Sequence, residues 1–148
     1  MKIDYSKFNF SLEESKHMLQ ETNILSEKNP THIPILIMVK SSVLKMDKQK
    51  FLVSNDIIFS DFITNTLKKK LVNLSQDDTI TIQTVKLFPE ETENAKKSES
   101  TEIKINSQSM KEIYDEHKDT ETNLLILKIS RNTTFKYLKG SAKYWLGY

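Results

Sequence analysis

Seven consecutive apolar residues, Ile33-Pro34-Ile35-Leu36-Ile37-Met38-Val39, set the first limit on what this chain can fold into. The run is continuous, rich in β-branched side chains and short, which is the pattern of a strand buried on both faces. It is also the longest apolar stretch in the chain. A transmembrane helix needs about 20 such residues, so no segment is expected to span a bilayer unaided. The N-terminus carries Asp4 and lacks an apolar central run, so no signal peptide is read there. At 148 residues the chain has room for one domain around one core. Its 37% hydrophobic and 28% charged residues suit a soluble globular protein with polar tails.

Around that strand the periodicities alternate between helix and sheet. Ser11 followed by Glu14 forms a capping-box pattern that predicts a helix from Leu12. Leu12, Met18, Leu19, Thr22 and Leu25 fall near one face of it, and Asn29-Pro30 stops it. Asp47 to Val53 reads as a second strand. Phe59, Phe62, Ile63, Leu67, Leu71 and Leu74 recur at threes and fours behind a Ser60 cap, which predicts the main core helix. Thr79 to Val85 alternates as a third strand. Residues 86–106 have no periodicity and a mixed Glu/Lys/Ser composition, so disorder is expected. Met110, Ile113, Tyr114 and His117 place a short helix after Ser107, and Leu124 to Ile129 reads as a last buried strand. This order describes an α+β domain with one long helix across a mixed sheet.

Several chemistries are disfavoured by composition. The absence of cysteine excludes disulfides, thiolate metal sites, a nucleophilic thiol and a thioester carrier role in the chain itself, and suits a reducing cytosol. His17, His32 and His117 lie on different elements without metal-ligand spacing, so no metal or other cofactor is expected. There is no glycine-rich phosphate loop and no compelling catalytic constellation, so the chain is not read as an enzyme. The net charge of +2 is too near balance for a nucleic-acid footprint over the whole surface. From Thr122 onward, however, there are five basic residues and no acidic one, and both glycines, Gly140 and Gly147, lie in that segment.

Four blocks, in order, resemble the ubiquitin-like modifiers of autophagy, the family of GABA-receptor-associated protein and light chain three. Asn29-Pro30-Thr31-His32-Ile33-Pro34-Ile35 is similar to the family's Tyr-Pro-Asp-Arg-Val/Ile-Pro-Val block. Asp47-Lys48-Gln49-Lys50-Phe51-Leu52-Val53 looks like its Asp-Lys-Lys-Lys-Tyr/Phe-Leu-Val strand, and Phe62 to Leu71 like its basic-ended helix. Ile113-Tyr114-Asp115-Glu116-His117-Lys118-Asp119 resembles its Tyr-Glu-Glu-His-Lys-Asp block, the most specific of the four. His32 stands where the family usually has Arg, Ser54 replaces a proline, and the 86–106 insertion has no counterpart of that length. Lys136 follows Thr134-Phe135 where the family places its glycine.

The resemblance implies a ubiquitin-like β-grasp with an additional N-terminal helix. Residues 1–28 would be the helical extension, 29–135 the ubiquitin-like domain and 136–148 a basic-aromatic tail. It implies a modifier joined through a C-terminal glycine to phosphatidylethanolamine, which recruits partners bearing aromatic-x-x-aliphatic motifs to the autophagosomal membrane. Leu25, Pro34, Lys50, Leu52 and Leu124 would line an aromatic pocket, and Phe51, Val53, Ile57 and Phe62 an aliphatic one. Lys48, Lys50, Lys68, Lys69 and Lys70 would attract an acidic flank. Gly147 is the expected lipidated residue, with Tyr148 removed by a processing cysteine protease and Gly140 as the other choice. Activating and conjugating enzymes, autophagy receptors and adaptors, and a phosphatidylethanolamine membrane are the implied partners, with no nucleic acid and a monomeric state. The location implied is cytoplasmic, moving to an autophagosome or vacuole membrane on lipidation. Phe135, Leu138, Ala142 and Trp145 also fall on one helical face, which would suit a non-conjugated adaptor with a membrane-contacting tail.

Overall fold

The computed structural model describes residues 3–5, 10–39, 45–46, 49–72, 79–88 and 99–132. Its first regular element is the N-terminal helix Leu12–Lys28. Ser11 Oγ accepts the Glu14 N–H at 3.1 Å while Glu14 Oε1 accepts the Ser11 N–H at 3.0 Å, the reciprocal box that the sequence predicts. Asn29 closes the helix by donating its backbone N–H to the Leu25 carbonyl.

Among the described residues seven strands follow: β1 (His32–Val39), β2 (Lys45–Met46), β3 (Lys50–Ser54), β4 (Leu71–Val72), β5 (Thr79–Lys86), β6 (Glu99–Ile103) and β7 (Leu125–Asn132). Five form one mixed sheet in the order β3-β1-β7-β5-β6, and β2 pairs with β4 apart from it. Strand β1 runs parallel to β7, with Ile35 opposite Leu125, and antiparallel to β3, with Ile35 opposite Phe51.

The apolar run works as its composition requires. Ile33, Ile35 and Ile37 point to one face of the sheet, where they meet Phe59, Phe62, Ile63 and Leu67. Leu36 and Met38 point to the other, against Met18, Phe10, Val85 and Ile126. Period-two alternation therefore gives β1 two hydrophobic layers. The central helix covers the first layer together with the helix Met110–His117, and the N-terminal helix covers the second.

The central helix runs through residues 59–70 in three pieces: an α-turn Phe59–Asp61, a π-helical stretch Phe62–Leu67 and an α-turn Lys68–Lys70. Ser60 is not its cap. The helix starts two residues earlier than such a cap would place it, with Ile58 at the cap position and no side-chain cap. The Phe59 and Ser60 N–H groups instead donate to the Gln108 and Asn106 carbonyls at 2.8 and 3.0 Å, so a neighbouring segment satisfies donors that a cap would otherwise take. The helix also ends sooner than its periodicity suggests, because Leu71 is in β4, and Leu74 lies outside the described residues. In the third helix the cap is Ser109, two residues after Ser107, and its hydroxyl accepts the Glu112 N–H.

The expectation of disorder across 86–106 is corrected at both ends of that segment. Lys86 closes β5, Leu87 is buried, and Glu99–Ile103 forms β6 along β5, from Ile82 opposite Ile103 to Lys86 opposite Glu99. Backbone pairing explains this strand, since four of its five residues are exposed. Residues 89–98, and with them the middle of the insertion, lie outside the described residues.

The turn before β7 accounts for the most specific of the sequence blocks. Tyr114 Oη donates to the Asn123 carbonyl at 2.6 Å, and Asn123 takes a left-handed φ of 57°, which asparagine tolerates better than most residues. The Asp119 carboxylate accepts from the Leu87 N–H at 2.8 Å, the Thr122 N–H at 3.0 Å and the Thr122 hydroxyl at 2.6 Å. Burial pushes the Asp119 pKa up more strongly than these hydrogen bonds pull it down.

Candidate peptide-binding site

Strand β3 lies at one end of the sheet, so among the described residues only β1 pairs with it. The Ile37 N–H donates to the Gln49 carbonyl at 2.7 Å, which makes that opposed pair a hydrogen-bonded one. In an antiparallel ladder such pairs alternate, so Phe51 and Val53 bond inward to β1. Lys50 and Leu52 then turn their N–H and C=O groups outward, away from β1.

The side chains of β3 divide in the opposite sense. Lys50 and Leu52 sit opposite Leu36 and Pro34, on the face of the N-terminal helix. Phe51 and Val53 sit opposite Ile35 and Ile33, on the face of the central helix. On the first face Leu25, Pro34, Lys50 and Leu124 line one pocket with Met18, Glu21, Thr22, Ile35, Phe51 and Tyr5. Four of the five residues expected in an aromatic pocket therefore come together. Leu52, 37% exposed, is not among the lining residues but projects from β3 on the same face. Met18, Glu21, Thr22, Ile35 and Tyr5 were not anticipated, and Phe51, expected in the aliphatic pocket, lines this one. The helical spacing of Met18, Thr22 and Leu25 held the signal for the first three.

On the second face Phe51 and Phe62 meet edge to face, with ring centroids 6.0 Å apart. Phe62 at 1% and Val53 at 8% exposure belong to the core, whereas Ile57 is 39% exposed. Ser54, at the position of the family's proline, donates its hydroxyl to Asp56 Oδ1 at 2.5 Å and so closes the turn after β3 by other means. This bond is the chief cause of a lowered Asp56 pKa. His32, in place of the family's Arg, has Nδ1 3.1 Å from the Thr31 hydroxyl.

Charge gathers along the same edge. Lys50 Nζ lies 3.4 Å from Glu21 Oε2, and His17 Nε2 lies 3.1 Å from Glu21 Oε1. Burial alone would lower the Lys50 pKa, but attraction to Tyr5 and Glu21 outweighs it and holds the pKa above its ordinary value. Lys68, Lys69 and Lys70 form the last turn of the central helix. The pairing of Leu71 with Met46 ties that turn to the strand preceding β3. Lys48, Gly140, Gly147 and Tyr148 lie outside the described residues.

A mixed sheet with parallel first and last strands at its middle and a helix across one face is the ubiquitin-like β-grasp, here with a helix added before β1. The family model described as autophagy protein Atg8, ubiquitin-like, matches residues 17–136, and the chain belongs to that family. The fold is also similar to the crystal structure of Trypanosoma brucei ATG8, with a TM-score of 0.56 and 22% identity over 88% of this chain and 97% of that one. A search of curated protein sequences gives no match. Among the described residues no helix is long and apolar enough to cross a membrane.

Proposed function

We propose that the chain is a modifier in the ubiquitin-like sense, attached through Gly147 to phosphatidylethanolamine after removal of Tyr148. On the autophagosomal membrane it recruits proteins bearing an aromatic-x-x-aliphatic motif. The observation that carries the motif-binding part is the division of β3. In an extended peptide, residues i and i+3 point to opposite sides. A strand added along Lys50 and Leu52 therefore brings its aromatic residue to the Leu25-Pro34-Leu124 face and its aliphatic residue to the Phe51-Ile57 face. Lysines 48, 50 and 68–70 supply the charge for an acidic flank. In this reading the chain recruits and carries, with no chemical step of its own.

Backbone pairing and two partly buried side chains support a dissociation constant in the micromolar range, about −8 kcal/mol. Calorimetric titration with a motif peptide carrying an acidic flank tests the reading. Saturable binding that is lost when the peptide's aromatic residue becomes alanine is expected; no binding at millimolar peptide overturns it.

A further inference from the structure

The pocket on the N-terminal-helix face already has an aromatic side chain in its wall. Tyr5, which precedes the N-terminal helix, lines it with Leu25, Pro34 and Leu124. Lys50 Nζ lies 4.7 Å from the centre of the Tyr5 ring, as a cation over an aromatic face. The ring also lies 6.0 Å from that of Phe10, tilted by 56°, and Ile3 packs half-buried against the same cluster. With Tyr5 in its wall the cavity is about 30 Å³. Tyr5 takes up one side of the space that an incoming aromatic ring would use.

We propose that the segment 3–5 is a built-in competitor for the aromatic pocket, with Tyr5 as its stand-in ligand and Lys50 as its latch. This rests on the motif-binding reading above and names how that site is regulated. The latch uses groups that an incoming peptide also needs. Lys50 is held at once by the Tyr5 ring and by Glu21, 3.4 Å away. An acidic flank competes with Glu21 for the ammonium, while the motif's aromatic residue competes with Tyr5 for the pocket.

The segment is also built to leave. Ile3 and Tyr5 are only half-buried and Asp4 is exposed, whereas Phe10 is 1% exposed and fixed in the core. Segments with few buried apolar contacts open locally at small cost. Since apparent affinity falls by the fraction of molecules that are open, a pocket open in one molecule in three to ten binds three- to tenfold more weakly than an unobstructed one.

The test uses the full chain as wild type, Tyr5→Ala and Tyr5→Phe. The probe is an acidic-flanked Phe-x-x-Leu peptide followed by calorimetry, with the Lys50 ε-methylene read by NMR in the absence of peptide. The proposal expects an upfield ring-current shift at Lys50 in wild type and Tyr5→Phe that disappears in Tyr5→Ala. It also expects Tyr5→Ala to bind about three- to tenfold more tightly while Tyr5→Phe stays near wild type. Equal or weaker binding by Tyr5→Ala, or no ring-current shift in wild type, overturns the competitor alone. Binding by none of the three proteins removes the motif-binding reading, and the competitor with it.

Discussion

The Asp119 carboxylate accepts the backbone N–H of Leu87, 32 residues earlier in the chain, at 2.8 Å. This one bond joins the exit of β5 to the turn that launches β7, and the other carboxylate oxygen holds Thr122 within that turn. A side chain that first looks like the end of a family motif is thus the tie between two distant loops.

Asp119→Ala leaves the Leu87 N–H, the Thr122 N–H and the Thr122 hydroxyl without their acceptor in a buried place. The expected loss is about 2–4 kcal/mol, or a melting temperature lower by about 5–10 °C. Because burial raises the folded-state pKa of Asp119, its contribution is full below the ordinary carboxylate pKa and is lost as pH rises through the raised value. The gap in stability between wild type and Asp119→Ala should therefore narrow from pH 3 upward. Chemical denaturation of both proteins across that range checks the sign.

Leu52 and Phe62 should separate binding from stability. Leu52 is 37% exposed on the edge strand, so Leu52→Ala is expected to weaken motif-peptide binding by about 1 kcal/mol or more with little change in melting temperature. Phe62 is fully packed beneath Phe51, and Phe62→Ala should cost about 3–5 kcal/mol of stability. Calorimetric titration and thermal melts on the same two samples read both effects.

The insertion has a dispensable part and a structural part. Lengthening a loop adds only about 0.6 kcal/mol per doubling, so replacing residues 89–98 with a short Asn-containing turn should leave the melting temperature unchanged or raise it. Removing all of 86–106 also removes β6 and buried Leu87 and should lower it by several degrees. Melts of the two deletions side by side check the boundary.

Gly147→Ala should abolish transfer to phosphatidylethanolamine liposomes by the cognate protease, activating enzyme and conjugating enzyme, while Gly140→Ala should not. A residue that passes through narrow enzyme sites needs the free backbone angles of glycine. The shift of the lipidated band on a gel and the mass of the conjugate provide the readout.

What was legible in the sequence is what repeats or pairs locally. The Ser11-Glu14 box, the two-faced β1 run and the apolar spacing of Phe59, Phe62, Ile63 and Leu67 each carry their structure in neighbouring residues. What was not legible depends on distant partners. Glu99–Ile103 has no alternation to read because it forms an exposed edge whose stability comes from β5. Ser60 looked like a cap because no local pattern shows that carbonyls at 106 and 108 would take the donors. Within the site, the Lys50-to-Val53 strand could be found from its residue types. Tyr5 could not, since its contacts are made to residues 10 and 50 and no periodicity leads to it.

The parallel pairing of Ile35 with Leu125 also sets the order in which the molecule can form. A gap of 90 residues must close before that contact exists, an entropic cost of about 4 kcal/mol, so the sheet forms late and folding is slow for a domain of this size. Until Leu125 to Ile129 arrive, the most hydrophobic strand of the protein has a bare flank. During synthesis that flank is the place where a chaperone or a second nascent chain would attach.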